Sequence, residues 1–100
     1  MKFLVIRKPR VSMNPGPTSQ MIRAQKETLL NAVKEAVIDC TYAFIGGGGF
    51  GIANANSTEE LNQKIMSAPM ALYYDFEVRA PTDYAQHMDA VAAAFEKQGR

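Results

Sequence analysis

The sequence is poor in the residues from which disulfides and metal sites are built. One cysteine, Cys40, and one histidine, His87, stand in 100 residues. That excludes an intramolecular disulfide and any zinc site of clustered Cys and His ligands. A surplus of one charge is missing too. Lys and Arg number 11 against 10 Asp and Glu, a formal charge of +1 at pH 7, without the basic excess of a nucleic-acid binder. No apolar run approaches the roughly 18 to 20 residues that span a bilayer. The apolar start Phe3-Leu4-Val5-Ile6 is too short for the core of a secretory signal. What is present is 47% hydrophobic and 21% charged residues, the make-up of an ordinary globular domain. The expectation is one domain over residues 1–100, in the cytoplasm, with no cofactor, no metal, no nucleic acid and no membrane partner.

Phe3 to Ile6 is rich in strand formers and reads as a buried first strand. Pro9, Asn14, Pro15, Gly16 and Pro17 punctuate a turn. Thr18 or Ser19 then caps a helix predicted from Ser19 to Ala36. Its apolar stripe is Ile22, Leu29, Val33 and Ala36, widened by Leu30 and Val37. The stripe has a gap, and its filler is polar: Gln25 or Lys26. Val37 to Ile45 reads as a strand, Gly46 to Gly49 as a turn, and Phe50 to Asn56 as the returning strand. Ser57 and Glu60 match a capping box, which opens a short helix to Met66 with Leu61 and Ile65 inward. After Pro69, Ala71 to Arg79 alternates as a strand. Asp83 caps a last helix to Lys97, with Tyr84, Met88, Val91 and Phe95 as its stripe.

The order β-α-β-β-α-β with an extra C-terminal helix is the ferredoxin-like α+β arrangement, a four-stranded antiparallel sheet. In the fourth strand Leu72, Tyr74, Phe76 and Val78 share one face, and Tyr73, Asp75, Glu77 and Arg79 the other. In the second, strict alternation sets Ile38, Cys40, Tyr42 and Phe44 against Asp39, Thr41, Ala43 and Ile45. The more apolar sets are expected to pack on the helices. The mixed sets then face water or a second subunit. Covering that second face adds much to a core this small, so a homodimer closed sheet against sheet is expected. Arg79 is expected to make a cross-subunit ion pair, because charges buried there need partners.

Ser57-Thr58-Glu59-Glu60-Leu61, Ile65-Met66-Ser67-Ala68-Pro69-Met70 and Tyr74-Asp75-Phe76-Glu77-Val78 form a capped short helix, a kink and an Asp-hydrophobic-Glu-Val strand. Together they resemble the muconolactone isomerase family. The short first strand and long first helix match in position, so the likeness in layout runs from Met1 to Val78. The resemblance implies a dimeric α+β barrel, a homodimer or higher homo-oligomer that acts without a cofactor on a small-molecule substrate between sheet and helices. The implied activity is that of an isomerase or cyclase moving a proton on a small unsaturated lactone or polyketide-like ring. A cofactor-free monooxygenase on the same barrel is one alternative, and a non-catalytic small-molecule-binding or oligomeric assembly protein is another. The chain departs from the family where Gly46 to Gly49 replace aromatic and histidine side chains, and in its longer C-terminal helix.

Within that frame Tyr42, Tyr74 and His87 are the catalytic candidates. The tyrosines, placed on the helix side, would donate to a substrate carbonyl and stabilise an enolate. Their ordinary role is core with a bonded hydroxyl. An imidazole suits proton transfer at neutral pH, which makes His87 a candidate general base, though such a position also suits a boundary residue. Lys26, Gln25, Phe44 and Arg7 are the substrate-binding candidates. Lys26 would hold a carboxylate or, desolvated, form a Schiff base; otherwise it snorkels to water. Arg7, with Lys8 and Arg10, would draw an anion to the pocket mouth. Gly46 to Gly51 lacks the Lys-Ser/Thr of a phosphate loop and reads as a hairpin turn. Asp75 and Glu77 suit an interface, and Cys40 a small buried hydrophobe.

Overall fold

The structure is a computed structural model that describes residues 1–11 and 14–99. Eight elements follow one another: β1 (Lys2–Pro9), α1 (Ser19–Lys34), β2 (Ile38–Ala43), β3 (Gly49–Asn54), α2 (Thr58–Met66), a 3-10 turn (Ala71–Tyr73), β4 (Tyr74–Arg79) and α3 (Tyr84–Lys97). The strands form one antiparallel sheet in the order β2-β3-β1-β4. This is the ferredoxin-like α+β order with an added C-terminal helix.

Short-range chemistry opens each helix where the sequence predicts. The Thr18 hydroxyl accepts from Met21 N at 3.2 Å, and Asp83 Oδ2 accepts from Gln86 N at 2.9 Å. At α2, Ser57 Oγ accepts from Glu60 N at 3.1 Å and Glu60 Oε2 accepts from Asn56 N at 2.7 Å. Each bond satisfies a backbone donor that the first turn leaves open.

The end of α1 differs from expectation. The helix stops at Lys34, and Ala36 takes the left-handed conformation, with φ 59°. Ala36 N donates to the Val33 carbonyl at 3.2 Å and Val37 N to the Ala32 carbonyl at 2.9 Å. This is a Schellman closure with alanine where glycine is the usual residue.

The tight reversal between β2 and β3 closes with Phe44 N donating to the Gly48 carbonyl at 2.9 Å. Gly46, Gly47 and Gly48 all have positive φ there, which a side chain would resist. The last strand is shorter than the alternation suggested. Ala71–Tyr73 turns as a 3-10 helix, so Leu72 leaves the helix-facing row and is exposed.

α1 and α2 cover one face of the sheet. The core there joins Phe3, Ala53, Ala55 and Leu61, with Val5, Ile38 and Ile65 packed against it. On β4, Phe76 and Val78 pair with Arg7 and Val5, so that strand's facing agrees with the sequence pattern.

β2 does not follow its pattern. Ile38 pairs with Ala53, but Cys40 pairs with Ile52, so Asp39 is an extra residue in the ladder. A one-residue bulge inverts every later side chain in a strand. Cys40, Tyr42 and Phe44 therefore lie on the bare face, and Thr41 and Ala43 turn toward the helices. The bare face also carries Leu4, Ile6, Phe50 and Ile52, the cross-strand partners in these rows.

α3 buries no side chain. The radius of gyration is 17.3 Å, with a long axis of 59 Å, against about 13 Å for a compact domain of this length. Tyr84 and Met88, two residues of its apolar stripe, are exposed.

Candidate functional site

The parity of β1 puts Phe3, Val5 and Arg7 in one row under the helices. Phe3 is buried, Val5 joins the core, and Arg7 continues the row as a half-buried cation. Its Nη1 donates to Thr41 Oγ1 at 3.4 Å and its Nη2 to the Tyr42 carbonyl at 3.2 Å. Beside it lies an open cavity of about 510 Å³, walled by Arg7, Gln25, Leu29, Thr41, Gly51 and Phe76 among others. A second hollow of about 450 Å³ shares Arg7, Gln25, Leu29 and Thr41, and adds Lys26, Tyr42 and Tyr74. The two spaces thus meet at one polar wall made by Arg7, Gln25 and Thr41.

Of the two residues able to fill the gap in the α1 stripe, Gln25 turns inward. It is buried, and its Oε1 accepts from Met70 N at 3.1 Å, tying α1 to the chain just before the 3-10 turn. An amide can do this because it presents both an acceptor and donors, whereas an ammonium offers donors alone. Lys26 stays in solvent at the rim of the second hollow, its Nζ 3.8 Å from Glu27 Oε1.

The structure brings Arg7, Gln25, Lys26 and Tyr74 around these adjacent spaces. Tyr74 is half-buried and edge-on to Phe76, with ring centroids 6.1 Å apart. Phe44 and His87 line neither space, and Tyr42 lines only the second, without the helix-side ring that was expected. The ring of Tyr42 stacks on Phe50 at 5.5 Å and that of Phe44 at 5.7 Å, across the sheet from the cavity. Tyr42 meets the second hollow where its carbonyl accepts from Arg7. His87 sits exposed on α3, and no α3 residue lines either space.

Sequence reasoning missed Thr41 as a wall residue, because only the ladder reveals the bulge. It also left Arg7 at the mouth of the pocket. The alternation Phe3, Val5, Arg7 was the available signal that places it inside.

The carboxylates with displaced titration lie outside this wall. Backbone donation from Asn56 and a bond with Lys64 hold Glu60 below its ordinary range. Lys2, with help from Asn54, lowers Asp39, and Arg79 lowers Glu77. Arg79 makes this pair within its own strand, Nη2 lying 2.8 Å from Glu77 Oε1. Among the described residues, no group of three His, Cys, Asp or Glu side chains is placed to hold a metal ion.

Solved structures with this arrangement exist. A crystal structure of muconolactone isomerase superimposes with a TM-score of 0.68 at 22% identity, covering 84% of this chain and 95% of that one. The chain has the fold of muconolactone isomerase. A 5-chloro-2-hydroxyhydroquinone dehydrochlorinase from Burkholderia phenoliruptrix, solved with 2,5-dihydroxybenzoquinone, superimposes with a TM-score of 0.64 at 22% identity, covering 86% of this chain and 98% of that one. Both have the dimeric α+β barrel fold. No protein-family model matches the chain, and no curated protein matches it. Among the described residues, no helix is long and apolar enough to cross a membrane.

Proposed function

We propose that this protein is a cofactor-independent isomerase or cyclase that moves a proton on a small unsaturated lactone or polyketide-like ring. The observation that carries the reading is the polar wall of Arg7, Gln25 and Thr41 set into the cavity between sheet and helices. A largely apolar space with a few convergent polar groups is the usual form of a small-molecule site. A guanidinium stays cationic and offers only donors, so Arg7 stabilises charge. Tyr74, at the second hollow, donates to the carbonyl that becomes the enolate, and Glu35, the carboxylate lining the first cavity, takes the proton from the acidic carbon and returns it at the shifted position. Confinement supplies orientation. Because no α3 residue lines either space, His87 serves this chemistry only from the α3 of another copy.

The bare face carries the oligomer in this reading. Leu4, Ile6, Phe50 and Ile52 with Tyr42 and Phe44 form its apolar area, and a second sheet covers it. The pair Arg79–Glu77 then opens to a cross-subunit partner.

The test is hydrogen–deuterium exchange at the acidic carbon of unsaturated γ-lactones in D₂O, followed by NMR. The wild type accelerates exchange, and Tyr74→Phe slows it by roughly tenfold or more with the oligomer intact. A protein that binds these lactones without exchanging them is the non-catalytic binder instead. Among the described residues, no carboxylate is bonded to Arg7, Gln25 or Thr41, and Glu35 is the acid that lines the cavity.

A further inference from the structure

We infer that Asp39, held by Lys2 and Asn54, is a positioning residue of the site: it locks β2 in its bulged alignment and so decides which of that strand's side chains stand at the cavity. The inference rests on the cavity reading for what the alignment does, whereas the alignment itself is observable without any ligand. Three strands meet in the lock. Lys2 of β1 pairs across the sheet with Asn54 of β3, and both reach Asp39 of β2. Lys2 Nζ donates to Asp39 Oδ2 and, at 3.1 Å, to Asn54 Oδ1. Asn54 Nδ2 donates to Asp39 Oδ1 at 2.8 Å and to the Ala36 carbonyl at 3.1 Å, just ahead of the strand. The ring of bonds is closed. It draws Asp39 toward the Asn54 end of β3 and leaves Cys40 to stand opposite Ile52, which is the bulge.

A second alignment is open to the strand. Without the extra residue, Cys40 would stand opposite Gly51, and Tyr42 opposite Gly49, the cross-strand partner of Arg7. Cys40, Tyr42 and Phe44 would then turn under the helices, as the strict alternation of that apolar set favours. Both facing residues are glycine, so β3 presents no side chain to the incoming ring. The turn runs Gly46-Gly47-Gly48-Gly49 and absorbs a one-residue shift at little conformational cost. In that alignment Thr41 leaves the wall, and the Tyr42 ring enters beside Arg7, where the second hollow stands. The bond from Arg7 to Thr41 belongs to the bulged alignment alone, so the polar wall and the lock stand or fall together. Exposed ion pairs add little to overall stability. This one acts on the choice between two alignments that share the Ile38–Ala53 pair.

Cross-strand NOEs in the full-length protein read the alignment. In the wild type Gly51 is expected to face Thr41, with the Tyr42 ring against Phe50. Asp39→Ala is expected to shift the balance toward the unbulged strand by roughly tenfold or more, the scale of lost hydrogen bonds to a charged group. Gly51 then faces Cys40, and the Tyr42 ring gains contacts with Leu29. The swapped pair, Lys2→Asp with Asp39→Lys, is expected to restore the wild-type pattern, which a loss of general stability would not predict. Where Asp39→Ala fails to fold, Lys2→Met at the exposed strand end gives the same reading with a smaller shift. A folded Asp39→Ala or Lys2→Met protein in which Gly51 still faces Thr41 alone overturns the inference, and so does a swapped pair that fails to restore that facing. Lactone exchange plays no part in this readout. A protein without that activity leaves the lock standing, and a β2 that keeps its facing leaves the proposed function standing.

Discussion

The two faces of the sheet divide the chemistry in opposite ways. The face under α1 and α2 holds the buried core of Phe3, Ala53, Ala55 and Leu61, yet also an unpaired cation beside a cavity. The uncovered face holds large apolar groups, including the stacked Tyr42, Phe44 and Phe50, and its charges are paired along β4. The covered face leaves a charge unmatched, and the bare face leaves apolar area unmatched. One face offers a cavity with a polar wall, the other a continuous apolar surface.

The largest effect tests the covered face. Phe3→Ala removes the most buried ring and is expected to cost about 3–5 kcal/mol in chemical denaturation, at any protein concentration. Phe50→Asp on the bare face is expected to act through association: sedimentation should show monomer, and the midpoint of thermal unfolding should lose its dependence on concentration. If Phe50→Asp instead destabilises the chain as Phe3→Ala does, the contrast between the faces fails. Ser57→Ala removes the cap of α2 and should cost about 1 kcal/mol by the same denaturation measurement. Ala36→Gly relieves an alanine in left-handed geometry at the end of α1 and should add roughly 0.5–1 kcal/mol.

The smallest effect is a dependence on acid. Glu60 near the covered face and Glu77 on the bare face both have carboxyls held below the ordinary range, the first by Asn56 N and Lys64, the second by Arg79. A lowered carboxyl pKa stabilises the fold above the unfolded value, and the gain disappears as pH falls through the folded one. Unfolding midpoints should therefore decline on acidification below the ordinary glutamate range. Glu60→Gln should flatten that slope equally in monomer and oligomer. Glu77→Gln should flatten it more in the oligomer, where a second sheet shields the pair from solvent.

Legibility differed residue by residue. Thr18, Ser57 and Asp83 were readable because a cap bonds a donor three positions ahead, and nothing distant intervenes. Tyr74, Phe76 and Val78 were readable because β4 keeps unbroken alternation. Ala71–Tyr73 was misread as strand, although its residues alternate too, because the chain near it is held by a bond from Met70 N to Gln25, 45 residues back. Of the candidate site, Gln25 and Lys26 were identified as a pair, and only packing selected Gln25. Tyr42 and Phe44 lie on the face opposite to the one strict alternation predicts.

The order of elements, the helix starts and the alternation of β1 and β4 follow from contacts within a few residues, so the chain's own string suffices for them. Three features needed distant partners. Asp39 is counted as an extra residue only against β3, and that count turns Thr41 inward and Tyr42 outward. Gln25 is buried only because Met70 meets it. Arg7 becomes a half-buried cation held by neutral acceptors only once helices cover it, since the same side chain on an open strand would be hydrated and silent.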